Sequence, residues 1–362
     1  MARLDRIEID GYRSIRELRL ELGALNVLIG ANGSGKSNLI GVLGLLGDLV
    51  ENQLQLHVAR RGGANALLHF GQKKTKRLRI DVRFGELEYE AVLEPAAGDT
   101  VFFASERAAS HAEGEPVSFG AGHKESAVVE LGELRKLEDI QFTDDAFHAL
   151  RGCKVFQFHD TSASAEIKQK HAIDDNRRLR PDGANLASLL HGLKQRAPNQ
   201  YRAIVETIRA IAPFFDDFVL APDAANPGMI QLEWRHKSDP GYFNAHSLSD
   251  GTLRFMCLTA LLLQPTRPPL IVIDEPELGL HPAAIVQLAA MLRVVAVDGQ
   301  VIVATQSVTL LDQVASEDVI VVERSHGEST FRRLTADQLR GWSDDYSLGE
   351  LWLKNVLGGR PF

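Results

Sequence analysis

Residues 3–9 interleave charged and apolar side chains, and 18–22 alternate with period two; both stretches predict strands. Residues 25–29 form a short apolar run ending in glycine, the pattern of a strand buried on both faces. Across 36–50, Leu39, Ile40, Val42, Leu43 and Leu46 recur at helical spacing. The region 67–103 reads as strands and turns, with 77–84 and 87–93 alternating around Gly85 and Glu86. Residues 104–125 carry Gly, Ser, His and Glu with little periodicity and read as a long loop. The span 186–215 predicts two helices broken near Pro198, and 229–234 predicts one strand. In the last third, helices over 252–263, 283–295 and 308–314 alternate with strands over 270–273, 300–304 and 319–322. That order predicts an α/β architecture with a largely parallel sheet.

Composition narrows the class. The 362 residues are 44% hydrophobic and 24% charged, as in an ordinary soluble globular protein. A net charge of −8 supplies no global positive field to recruit nucleic acid, which leaves only local basic patches. Cys153 and Cys257 are too few for a disulfide framework or a four-cysteine zinc site, and they fit a cytoplasmic protein. No signal-peptide pattern opens the chain and no apolar run approaches bilayer length, so no membrane association is expected.

Gly30, Ala31, Asn32, Gly33, Ser34, Gly35, Lys36 and Ser37 match the full P-loop pattern, after a strand and before a helix. Its glycines let the backbone fold tightly around phosphate oxygens, and the helix N-terminus faces the anion. Lys36 is expected on the β- and γ-phosphates and the Ser37 hydroxyl on Mg²⁺, with Asn38 completing the nucleotide contact. The apolar run 270–273 ends in Asp274 and Glu275, which puts two acids at a strand's carboxyl end. Asp274 is expected in the Mg²⁺ shell and Glu275 as the general base. The expected substrate and cofactor are therefore ATP and Mg²⁺.

The segment Leu248, Ser249, Asp250, Gly251, Thr252 resembles the signature motif of ABC-type ATPases in the RecF, SMC and OLD-like branch. Residues 276–282 resemble its D-loop. Residues 7–15 resemble its opening strand, which implies that Arg13 and Ser14 lie near the nucleotide. The resemblance implies that Ser249, Asp250 and Gly251 cap a γ-phosphate. It also implies a switch histidine after the 301–304 strand, but Gln306 stands there, and an amide carries neither charge nor a proton. The departure favours slow turnover, with Gln306 expected at the γ-phosphate or its water. Gln157, His159 and Asp160 are the candidates for the Q-loop, with alternation placing 157 and 159 on one face. The run 175–186 is also familiar from AAA-type members of the branch, without an assigned role.

The resemblance implies a P-loop NTPase of ABC-head type, with a mainly parallel core sheet, an antiparallel β subdomain and a helical lobe. A single head over 1–362 divides into an N-terminal lobe (1–160), a helical insert lobe (161–250), a C-terminal lobe (251–340) and a tail (341–362). The insertion is too short for coiled-coil arms, and no TOPRIM-like nuclease module is evident. The compact RecF/OLD-like group remains: an ATPase that dimerises on ATP and regulates a separate nuclease or toxin in DNA-related or anti-phage work. An ATP-dependent scaffold or sensor with negligible turnover is the alternative, and a transporter ATPase a third. Basic clusters at Lys73, Lys74, Lys76 and Arg77, and at Arg177, Arg178 and Arg180, fit either solvated faces or sequence-independent contact with nucleic-acid phosphates.

Overall fold

The computed structural model describes residues 3–110, 116–128, 150–342 and 345–360. At its centre lies a six-stranded sheet. In order across it run Glu328–Arg333, Val319–Ser325, Leu25–Ile29, Gln300–Thr305, Leu270–Asp274 and Cys153–Phe156. Every neighbouring pair is parallel except the first. Leu25–Ile29, Leu270–Asp274 and Gln300–Thr305 are buried at every position, as strands covered on both faces must be. Alternate residues serve two cores. Leu28, Val272, Ile302 and Ile320 pack with the helix Lys36–Leu49 and the second sheet. Val27, Ile271, Val303 and Val321 pack with the helices Leu186–Arg196, Asp250–Leu263 and Pro282–Asp298.

The second sheet is antiparallel, in the order Ile15–Glu21, Leu4–Tyr12, Leu78–Phe84, Leu87–Ala96, Thr100–Ser110 and Val117–Gly120. It corrects the loop expected over 104–125. Much of that stretch is strand, although 111–115 lie outside the described residues. Polar residues at buried positions hid the alternation. Glu106 is fully buried, accepting from Tyr89 Oη at 2.7 Å, His123 Nε2 at 2.8 Å, Ser126 Oγ at 2.5 Å and Ala127 N at 2.9 Å. A charged ladder also crosses this sheet: Arg79 pairs with Asp81 at 2.8 Å and Glu90 at 2.6 Å, and Arg6 with Glu88 at 2.8 Å. Burial, reinforced by Glu88 and opposed by Arg79, pushes the Asp81 carboxyl up to about 6.

The strand expected over 229–234 is also corrected. Met229–Ile230 pairs with His171–Ala172, while Glu233–His236 lies between Phe215–Val219 and Tyr242–Asn244. The two halves belong to different sheets. The helix pair broken at Pro198 forms as Leu186–Arg196 and Pro198–Ile211, with the proline at the helix start where its missing N–H costs nothing.

Candidate nucleotide site

The phosphate loop leaves the carboxyl end of the central strand and enters the helix Lys36–Leu49. No side chain caps that helix, so its first N–H groups remain available to an anion. Gly35 sits at φ 120°, and a Cβ there would meet Ser329 Oγ at 2.2 Å; only glycine fits. Lys36 is buried and its Nζ donates to Gly30 O at 2.6 Å and Ala31 O at 3.1 Å. Burial lowers its pKa, opposed by Glu275, Asp274 and Glu277. Phosphate oxygens would offer this ammonium stronger acceptors than the two carbonyls.

A serine from the last hairpin supports the loop from behind. Ser329 Oγ donates to Ser34 O at 2.5 Å and meets Ser14 Oγ at 2.6 Å, and Asn38 Nδ2 donates to Ser14 Oγ at 2.6 Å. Ser14 is thereby joined to the start of the P-loop helix through Asn38. Arg13, at φ 47°, turns its Nη2 to Arg61 O at 3.3 Å. Ser329 was absent from the sequence reading. Only the His326-Gly327 turn, followed by the strand-favouring Thr330 and Phe331, signalled its strand.

Asp274 ends its strand beside Ser37, whose hydroxyl hydrogen-bonds it. Burial raises the Asp274 pKa, opposed by the Ser37 bond, His159 and Lys36 and increased by Glu275. Its Oδ1 is buried without a partner. An orphaned carboxylate oxygen next to a serine hydroxyl fits Mg²⁺, a hard cation that takes oxygen ligands. Among the described residues no group of three or more His, Cys, Asp or Glu side chains is placed to hold a metal. Such an ion would therefore draw further ligands from the nucleotide phosphates.

Glu275 stands at φ 46°, a region that costs a non-glycine residue about 1–2 kcal/mol, and its N–H donates to Ala304 O at 2.8 Å. Gln306 reaches it from the next strand end. Gln306 Nε2 donates to Glu275 Oε1 at 2.7 Å and to Asn32 Oδ1 at 2.6 Å, linking the general-base candidate to the phosphate loop. Glu277, expected only as part of the D-loop, anchors that strand end. Its Oε1 accepts from Thr305 Oγ1 at 2.7 Å and Gln306 N at 2.9 Å. Burial raises the Glu277 pKa despite these bonds.

Of the Q-loop candidates, only His159 reaches the site. Its Nε2 lies 3.0 Å from Asp274 O. The strand stops at Phe156, so the expected alternation does not carry on to 157 and 159. Gln157 is exposed with its N–H on Pro181 O at 2.9 Å, and Asp160 is exposed and accepts from Ser162 N at 3.0 Å.

Ser249 caps the helix Asp250–Leu263, accepting from Thr252 N at 3.2 Å, and Asp250 is exposed in its first turn. A Cβ on Gly251 would lie 2.1 Å from Gly279 O, so glycine is what lets the signature and D-loop backbones touch. One turn on, Arg254 joins its helix to two other segments. Its Nε donates to Phe158 O at 3.1 Å, its Nη2 to His159 O at 3.0 Å and its Nη1 to Leu278 O at 2.9 Å. Among the described residues the signature segment makes no hydrogen bond to its own phosphate loop.

The basic clusters lie elsewhere. Lys74, Lys76 and Arg77 line one groove and Arg178, Arg180 and Arg267 another, and neither includes a phosphate-loop residue. Within 175–186, Asn185 is a staple. Its Nδ2 donates to Asp175 O and Arg178 O, each at 2.9 Å, and its Oδ1 accepts from Arg180 N at 2.8 Å.

A phosphate loop inside a parallel sheet, acids on a nearby strand end and a capped helix held against the D-loop define a P-loop NTPase of the ABC-head type. The chain belongs to the family described as "AAA domain, putative AbiEii toxin, Type IV TA system", whose model matches residues 25–92 and 112–312. Among solved structures it is similar to an Smc head bound to the C-winged helix domain of ScpA. That match has 16% identity and a TM-score of 0.57, covering 93% of this chain and 99% of that one. It is also similar to an Smc head with an extended coiled coil bound to the C-terminal domain of ScpA, from Pyrococcus furiosus. There the identity is 15% and the TM-score 0.50, with coverage of 95% and 99%. These likenesses concern the fold. No curated protein matches the chain. Among the described residues no helix is long and apolar enough to cross a membrane.

Proposed function

We propose that this chain binds Mg·ATP, hydrolyses it slowly, closes into a head-to-tail dimer while ATP is bound, and uses that state to control a separate effector. The observation that carries the reading is the Gln306 bridge between Asn32 and Glu275, at 2.6 and 2.7 Å. It ties the carboxylate suited to activating water to the loop suited to holding phosphates. Lys36 binds the β- and γ-phosphates, and Ser37 and Asp274 would hold a Mg²⁺ ion, which would supply charge neutralisation at the phosphates when bound. Glu275 accepts the proton of a water that attacks the γ-phosphorus, and the bond to ADP breaks. Gln306 orients Glu275 as a neutral donor. With no ionisable group at that position the switch takes up no proton, which fits slow turnover.

Among the described residues the signature segment makes no hydrogen bond to its own phosphate loop, which suits a site completed by a second copy. Two-fold pairing places each Ser249 and Gly251 against the nucleotide held by the other copy. The family description names a toxin–antitoxin system, which fits a partnered regulatory ATPase. Sequence-independent contact with nucleic-acid phosphates at one of the basic grooves belongs to the same reading. A scaffold or sensor with negligible turnover is the second reading, favoured by Gln306 in place of a histidine. Phosphate release under single-turnover conditions separates the two. The parent should release phosphate slowly and Lys36→Ala should neither bind nor turn over; equal release by both would refute the site.

A further inference from the structure

Asp250 on the signature helix and Arg324 beside the phosphate loop have no ionic partner among the described residues. Asp250 is exposed in the first turn of the signature helix, and the capping bond is made by Ser249 instead. The helix dipole favours an acid there. Closing on a triphosphate does not, because a second anion beside the phosphates is repelled unless a cation lies between them. Arg324 is exposed at the end of the strand next to the phosphate-loop strand. Its Nη1 donates to Gly33 O at 3.3 Å and its Nε to Gly327 O at 3.4 Å. These carbonyls orient the guanidinium without neutralising it. Arg324, Arg360 and Asn32 line a cleft of about 570 Å³ beside the phosphate loop. Among the described residues the one acid on that cleft, Glu323, is directed into the tail, where its Oε1 accepts from Gly359 N at 3.0 Å.

We infer that in the ATP-closed dimer Asp250 of one copy enters this cleft on the other copy and pairs with Arg324. The inference rests on the head-to-tail dimer proposed above and names its partner surface: a second copy of this chain presenting an acid on its signature helix. Two-fold symmetry forms the pair twice. Each pair neutralises the carboxylate that would oppose the triphosphate. It also discriminates against heads that lack either charge, since an unpaired Asp250 is then left against the phosphates.

The test exchanges the charges in a Glu275→Gln background, which slows hydrolysis. Sedimentation equilibrium in Mg·ATP gives the dimer dissociation constant. Asp250→Arg alone and Arg324→Asp alone should each weaken the dimer at least about tenfold. The chain carrying both should return to within about threefold of the Glu275→Gln parent, since only a direct pair gives such non-additive recovery. Both positions are exposed, so folding tolerates the exchange. A double variant no tighter than the weaker single, or a single variant as tight as the parent, overturns the pairing. A Glu275→Gln parent that stays monomeric in Mg·ATP instead overturns the head-to-tail dimer, and the pair falls with it.

Discussion

Arg254 is the side chain whose loss should separate the signature helix from the rest of the nucleotide face. Its three donors hold Phe158 O, His159 O and Leu278 O at 3.1, 3.0 and 2.9 Å. A hydrogen bond from a charged donor contributes about 1.5–3 kcal/mol when dry and less in water. The bonds to Phe158 and His159 are half-buried and the bond to Leu278 is open to solvent. Allowing about 1 kcal/mol for each inner bond and about 0.5 for the outer one, Arg254→Ala should cost about 2.5 kcal/mol. Arg254→Lys should recover less than half of that, because one ammonium cannot span three carbonyls that a planar fork reaches. The freed carbonyls lie beside His159 and within the D-loop, so the loss should also be local. Urea unfolding gives the global cost, and amide exchange at 157–160 and 277–280 gives the local one. A variant within about 0.5 kcal/mol of the parent, with unchanged protection in both loops, would refute the coupling.

Further outcomes follow from the same geometry. Gln306→Ala releases Glu275 and should lower single-turnover phosphate release about tenfold or more with little change in ADP affinity; unchanged release would leave Gln306 a strand-end residue. Gln306→Glu puts a second carboxylate against Glu275 and should be slower still, and faster release would contradict that role. Asp81 sets a pH dependence whose sign is fixed. Its folded pKa of about 6 stands above the ordinary 3.8, so the folded chain binds the extra proton between those values. Stability should therefore fall as pH rises from about 4 to about 6 and level off above, with a shallower fall in Asp81→Asn. Equal slopes for both chains in urea unfolding at each pH would refute this.

The parallel core was legible because strands covered on both faces need unbroken apolar runs, as in Leu25–Ile29 and Leu270–Asp274. The phosphate loop was legible because its glycines, Lys36 and Ser37 stand at fixed short spacing between a strand and a helix. What escaped depends on distant segments meeting. Ser329 supports the loop across a sequence separation of 295 residues, and Arg254 acts only through carbonyls brought to it by folding. Glu277 looked like an ordinary D-loop acid until the 305–306 strand end met it. Glu106 hid a strand because a buried acid with four donors breaks the apolar alternation that signals one.

The central claim is that ATP, and not ADP, closes two copies around each other's nucleotide. Glu275→Gln should keep Lys36 and the phosphate loop intact while slowing water activation, and so accumulate the closed state. Light scattering on this variant gives the mass directly in Mg·ATP and in Mg·ADP. The account predicts twice the chain mass of 39.8 kDa in Mg·ATP and a single chain in Mg·ADP, with Ser249→Arg added to the variant abolishing the doubling. The same mass in both nucleotides, unaffected by Ser249→Arg, would contradict it.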